Sequence, residues 1–109
     1  MSIAMLKCLQ PSVSIAAETG RFVSRQGVVI IESSGNGYEV SIETQEGQST
    51  CSLYGPFTEF EEGDLRLTDG KCKVRVYQRD EKILSVTETG CESSCGVGAT
   101  LNIRRAVRQ

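Results

Sequence analysis

From Gly20 onward, apolar and polar residues alternate with a period of two, the pattern of strands with one buried and one wet face. Val28-Val29-Ile30-Ile31 is β-branched throughout and predicts a strand. Asn36-Gly37 follows and predicts a two-residue hairpin turn, since both residues accept positive φ. Tyr38, Val40 and Ile42 then alternate with Glu39, Ser41 and Glu43. Leu65 and Leu67 alternate with Arg66 and Thr68, and Asp69-Gly70 predicts a second hairpin turn. Cys72, Val74 and Val76 face one way, and Lys73, Arg75 and Tyr77 the other. Arg79-Asp80-Glu81 predicts a polar turn, Leu84 and Val86 extend a core face, and Ala99, Leu101 and Ile103 form the last alternating run.

Glycines at 20, 27, 35, 37, 47, 55, 63, 70, 90, 96 and 98 punctuate these runs. No stretch after residue 20 carries a 3.6-residue apolar stripe. The expected fold is therefore all-β: an antiparallel up-and-down meander of seven or eight short strands, forming a small closed barrel or a sandwich. Closure would remove the free sheet edges.

Residues 1–19 lie outside this pattern and read as an N-terminal extension or signal remnant, with residues 20–109 as a single β domain. Lys7, Gln10 and Pro11 interrupt the apolar stretch, whereas Ala16-Ala17 before Glu18 suits a cleavage site. Lys7 stands where a lipid-anchored cysteine would need a small residue. Cys8 is accordingly read as a spare thiol.

Composition narrows the chemistry. The 109 residues, 39% hydrophobic and 24% charged with a net charge of −2, suit one ordinary globular domain. No membrane span is expected, because no apolar run approaches about 18 residues. No nucleic-acid partner is expected from so balanced a charge. Histidine and tryptophan are both absent. A Ser-His-Asp triad, a Cys-His pair and an imidazole base are thereby excluded. The chain reads as no enzyme and needing no cofactor. The acidic stretch Glu59-Phe60-Glu61-Glu62-Gly63-Asp64 lacks the alternating ligand spacing of a calcium loop.

Four cysteines remain, Cys51, Cys72, Cys91 and Cys95. In a meander the end of one strand lies beside the start of the next, so Cys72 and Cys91 become neighbours. Cys51 and Cys95 then pair at the same end of the domain. Two disulfides would place the chain in an oxidising compartment, periplasmic or secreted. An all-thiolate zinc site is the alternative, although only Cys91 and Cys95 are spaced like a zinc knuckle.

Charge is unevenly distributed. Eight acids (Glu32, Glu39, Glu43, Glu46, Glu59, Glu61, Glu62 and Asp64) and no base lie between Gln26 and Leu65. Arg66 to Lys82 holds six bases against three acids, and Arg104, Arg105 and Arg108 close the chain. Two arrangements satisfy this pattern. Acidic strands pair with basic ones across the sheet, or the surface has two signs and its acidic patch meets a basic protein.

Gly20-Arg21-Phe22, Thr50-Cys51-Ser52-Leu53 with Gly55, Cys72-Lys73-Val74, Gly90-Cys91 and Cys95-Gly96 before an Arg-rich strand form one arrangement. Over residues 20–108 it resembles small four-cysteine exported bacterial domains, similar in layout to the β-barrel lysozyme inhibitors of bacterial envelopes. Those inhibitors carry a loop of the type Ser-Ala-Ser-Gly-Ala-Lys-Tyr. Here Ser34-Gly35-Asn36-Gly37-Tyr38 matches it at Ser34, Gly35 and Tyr38, without the lysine, and is equally suited to a plain hairpin turn. The resemblance implies a binding protein that acts on another protein, a basic lysozyme-like hydrolase in the sharpest version. Its contact residues would be Ser34, Tyr38, Glu59, Glu61, Glu62 and Asp64. A lipocalin-like barrel for a small ligand and a cytosolic zinc-stabilised β-module are the rival expectations.

Overall fold

A computed structural model describes residues 17–109. Cys8 and the remainder of the 1–16 segment lie outside the described residues. Eight strands follow in chain order: β1 Gly20–Val23, β2 Gly27–Ser34, β3 Gly37–Glu46, β4 Ser49–Glu61, β5 Asp64–Asp69, β6 Cys72–Gln78, β7 Ile83–Thr89 and β8 Ile103–Arg108. Each pairs antiparallel with its neighbour, and β1 pairs with β8 through Phe22↔Arg108 and Val23↔Val107. The result is a closed barrel in simple up-and-down order. Closure satisfies the edge groups that an open sheet would expose.

Alternation decides what lies inside. On β6 every second residue from Cys72 to Gln78 is buried, and Lys73, Arg75 and Tyr77 face outward. Phe22, Ile31, Ile42, Phe57, Leu65, Leu84, Leu101 and Ile103 are all fully buried in the interior. A small barrel is filled by such side chains rather than hollowed for a ligand. The lipocalin-like expectation thus meets an interior occupied by the chain itself.

Both ends are covered. At the lower end, where β4 and β6 begin, the segment between β7 and β8 crosses the barrel through a short 3-10 turn, Glu92–Ser94. Disulfides Cys72–Cys91 and Cys51–Cys95 fasten it, the pairing expected from the meander. All four sulfurs are thereby consumed, so these cysteines offer zinc no thiolate. This cross-linking is the chemistry of an oxidising compartment. The Thr44 hydroxyl donates to the Thr100 carbonyl at 2.6 Å, and the Thr100 hydroxyl donates to Glu88 Oε2 at 2.8 Å.

At the upper end, Ala17–Thr19 folds over the barrel mouth. Ala17 is buried. The amide of Gln78 holds Glu18 on both sides, accepting from its N–H at 2.8 Å and donating to its carbonyl at 2.7 Å. The packed body therefore includes Ala17–Thr19, ahead of Gly20.

Three sequence expectations shift in register. Ser34 pairs with Gly37, so the turn is Gly35-Asn36 rather than Asn36-Gly37. Asp69 pairs with Cys72, so its turn is Gly70-Lys71. In both, glycine takes the first turn position with φ near +60° (Gly35 56°, Gly70 62°), as primed turns demand. The last strand also starts at Ile103, because residues 99–102 are held by the Thr44 and Glu88 bonds instead of a ladder.

Candidate functional site

The six residues expected to meet a partner all lie toward the upper end, but they do different things. Ser34 is exposed beside the β2–β3 turn, and Glu61 and Glu62 are exposed at the β4–β5 tip. Tyr38 and Glu59 come together at the mouth. The Tyr38 hydroxyl donates to Glu59 Oε1 at 3.3 Å and accepts from the Ala17 N–H at 3.2 Å. Glu59 Oε2 accepts from the Gly63 N–H at 3.2 Å. Burial, with the neighbouring Glu59 charge, raises the Tyr38 pKa above its ordinary value. Both side chains thus fasten Ala17–Thr19 and the β4–β5 turn.

Asp64 is not part of an exposed acidic loop. β4 runs unbroken to Glu61, and Asp64 already belongs to β5, 1% exposed. Its Oδ1 accepts from Arg66 Nε at 3.3 Å and Arg75 Nε at 2.9 Å, and its Oδ2 from Arg66 Nη2 at 2.8 Å. The hydrogen bond from Arg66 lowers the Asp64 pKa, burial opposes, and Arg75 lowers it further. The same contact raises the Arg66 pKa.

The barrel wall itself separates charge. On the outer face of β2–β4, Glu32 stands directly across from Glu39, and Glu43 lies further along β3 opposite Val28 and Ser52. Tyr54 lies on the same face, 69% exposed, opposite Ser41. The Glu39 carboxylate beside its hydroxyl raises its pKa. Among the described residues, the three ion pairs are Arg66–Asp64, Arg75–Asp64 and Arg108–Glu18, so none neutralises Glu32, Glu39 or Glu43. Acid and base pair across the sheet at Asp64 and Arg75, whereas Glu32, Glu39 and Glu43 on β2 and β3 have no such partner among the described residues.

The opposite wall, β4–β7, is basic. Thr58, Arg66, Arg75 and Thr87 are consecutive cross-strand partners, and Thr68, Lys73 and Thr89 form the next outward row. A groove of about 680 Å³ runs over them. Arg66 lies over the Phe60 ring, 4.8 Å to its centroid, and Arg75 over Tyr77, 4.9 Å.

Sequence reading counted the acids and bases of both walls without picking out Glu32, Glu39 and Tyr54, or the Arg66–Arg75 row. Alternation shows which residues face outward, but only the strand register sets Glu32 beside Glu39. Among the described residues no three Asp, Glu or Cys side chains group as a metal site would require. Among the described residues no helix is long and apolar enough to cross a membrane. Set against family models, curated proteins and solved structures, the chain matches none.

Proposed function

We propose that the protein is an extracytoplasmic binding protein, periplasmic or secreted, that engages a basic protein through the acidic β2–β4 wall. A single observation carries this reading: Glu32 and Glu39 face each other across adjacent strands, unneutralised, beside a largely exposed tyrosine. Like charges in directly opposed positions destabilise a sheet. A partner that brings cations to the wall relieves that repulsion. Tyr54 supplies a large amphipathic contact with few rotatable bonds, of the kind enriched at interface centres. The filled interior directs binding to the outside of the barrel. A lysozyme-like hydrolase, basic at its surface, is the partner that the Ser34–Tyr38 resemblance names. Attraction between opposite fields would speed its encounter.

The test uses the double variant Glu32→Gln/Glu39→Gln and a panel of basic lysozymes. Binding is followed by calorimetry at two salt concentrations, beside inhibition of cell-wall hydrolysis. Wild type should bind, and more weakly at high salt. The double variant should bind about tenfold less tightly. Its fold should gain a few tenths of a kcal/mol, about the size of one cross-strand pair. Opposite movements of affinity and stability mark a wall kept acidic for a partner. Wild-type binding to none of the panel, or equal affinity of variant and wild type, overturns the reading.

A further inference from the structure

The β4–β7 wall, opposite in sign to the face just assigned, holds a second site. We infer that this groove binds an oligosaccharide bearing carboxylate groups. Two cations, Arg66 and Arg75, are direct cross-strand neighbours, a pairing that repels unless something offsets it. Buried Asp64 offsets it and fixes both guanidiniums by their Nε atoms. Contacts with the Phe60 and Tyr77 rings hold the same two guanidiniums as well. Arg66 Nη1 and both Nη atoms of Arg75 keep no protein partner among the described residues. Both arginine side chains remain about half exposed, 46% and 48%. A guanidinium immobilised in this way loses little entropy on meeting a carboxylate.

The surroundings select the ligand. Thr58 and Thr87 flank the arginine row, and Thr68 and Thr89 flank Lys73. Each hydroxyl both donates and accepts, which suits a chain whose anionic groups are separated by hydroxyls. Phe60, 62% exposed at the rim, offers an apolar face for the C–H side of a sugar ring. An extended acidic peptide that binds by adding a strand needs a free sheet edge, and the closed barrel has none. Successive stacked bases need a run of aromatic faces, and among the groove's lining residues Phe60 is the one aromatic.

The experiment titrates the full chain with a galacturonate tetramer, its fully methyl-esterified form, a hexa-aspartate peptide and a short oligothymidylate. Calorimetry gives affinity, and amide chemical shifts locate the site. The acidic sugar should bind with shifts centred on Thr68, Lys73 and Thr87, and esterification should weaken it at least about tenfold. Arg75→Gln and Lys73→Gln should each cost about tenfold. Lys73 makes no ion pair among the described residues, so its variant keeps the fold even if the Arg75 variant, which strips a partner from Asp64, does not. Thr87→Ala should cost a few-fold, and Arg21→Gln, on β1 across the barrel, should stay within about twofold. Tighter binding of the peptide or the oligothymidylate at the groove overturns the assignment. So does failure of the acidic sugar to bind, or an Arg21→Gln loss equal to that of Lys73→Gln.

Discussion

Asp64 shows most sharply what a residue owes to its register. In the sequence it ends an acidic run, and nothing local separates it from Glu61 and Glu62. In the barrel it turns under two arginines, one two positions along its own strand and one on the next. Alternation made Arg66 legible as an outward residue, but the approach of Arg75 depends on the β5–β6 pairing. Two expectations follow. Asp64→Asn should lower stability by about 2 kcal/mol, because the amide leaves two guanidiniums without their counter-charge. The lowered pKa also fixes a pH dependence. Folding favours the ionised form, so the stability it adds is complete above the ordinary aspartate range, about pH 4. It is lost as pH falls through the lower folded value. Urea melts of wild type and Asp64→Asn between neutral and acid pH should therefore converge at the acid end. A gap that stays constant at low pH would show that packing, not charge, sets the cost.

At the scale of elements, the strands were legible and their ends were not. Val74-Arg75-Val76 announces a strand by alternation alone. The turns fell one residue away because Asn-Gly and Asp-Gly pairs describe composition, whereas the cross-strand partners decide which residue opens the loop. Alternation did not announce β4, since Gly55-Pro56 interrupts its pattern. The structure carries it through, with Gly55 buried inward against Leu67 and Pro56 outward opposite Glu39. The cover at the upper mouth was invisible, because Gln78 and Glu18 lie 60 residues apart. That cover is held by both ends of the Gln78 amide, with Tyr38 at Ala17 and Arg108 at Glu18 beside it. Gln78→Ala should release it, raising hydrogen exchange at the Glu18 amide at least about tenfold while the β3–β4 amides keep their protection. Uniform loss of protection across all strands would instead make Ala17–Thr19 an integral part of the barrel.

For the whole molecule, the disulfides and the barrel constrain each other. The meander sets the end of β7 beside the start of β6, and chain order then leaves Cys51 for Cys95. Pairing was therefore legible once an up-and-down topology was granted. What could not be read is the path of the doubly bonded segment, residues 91–95, across the lower mouth. Cys51–Cys95 closes a separation of 44 residues and Cys72–Cys91 one of 19. Chain entropy alone assigns them about 4 and about 3 kcal/mol. The longer loop also joins β4 to the approach to β8, strands that share no ladder, while the shorter joins the ends of two strands already hydrogen-bonded to each other. Losing Cys51–Cys95 should therefore cost more than chain entropy predicts relative to its partner. Denaturant melts of the Cys51→Ser/Cys95→Ser and Cys72→Ser/Cys91→Ser pairs should differ by more than about 1 kcal/mol, with the first less stable. An equal or reversed order would mean that the β4 contact with residues 95–96, including the Gly96 N–H bond to the Thr50 carbonyl at 2.8 Å, holds the cover without its sulfur bridge.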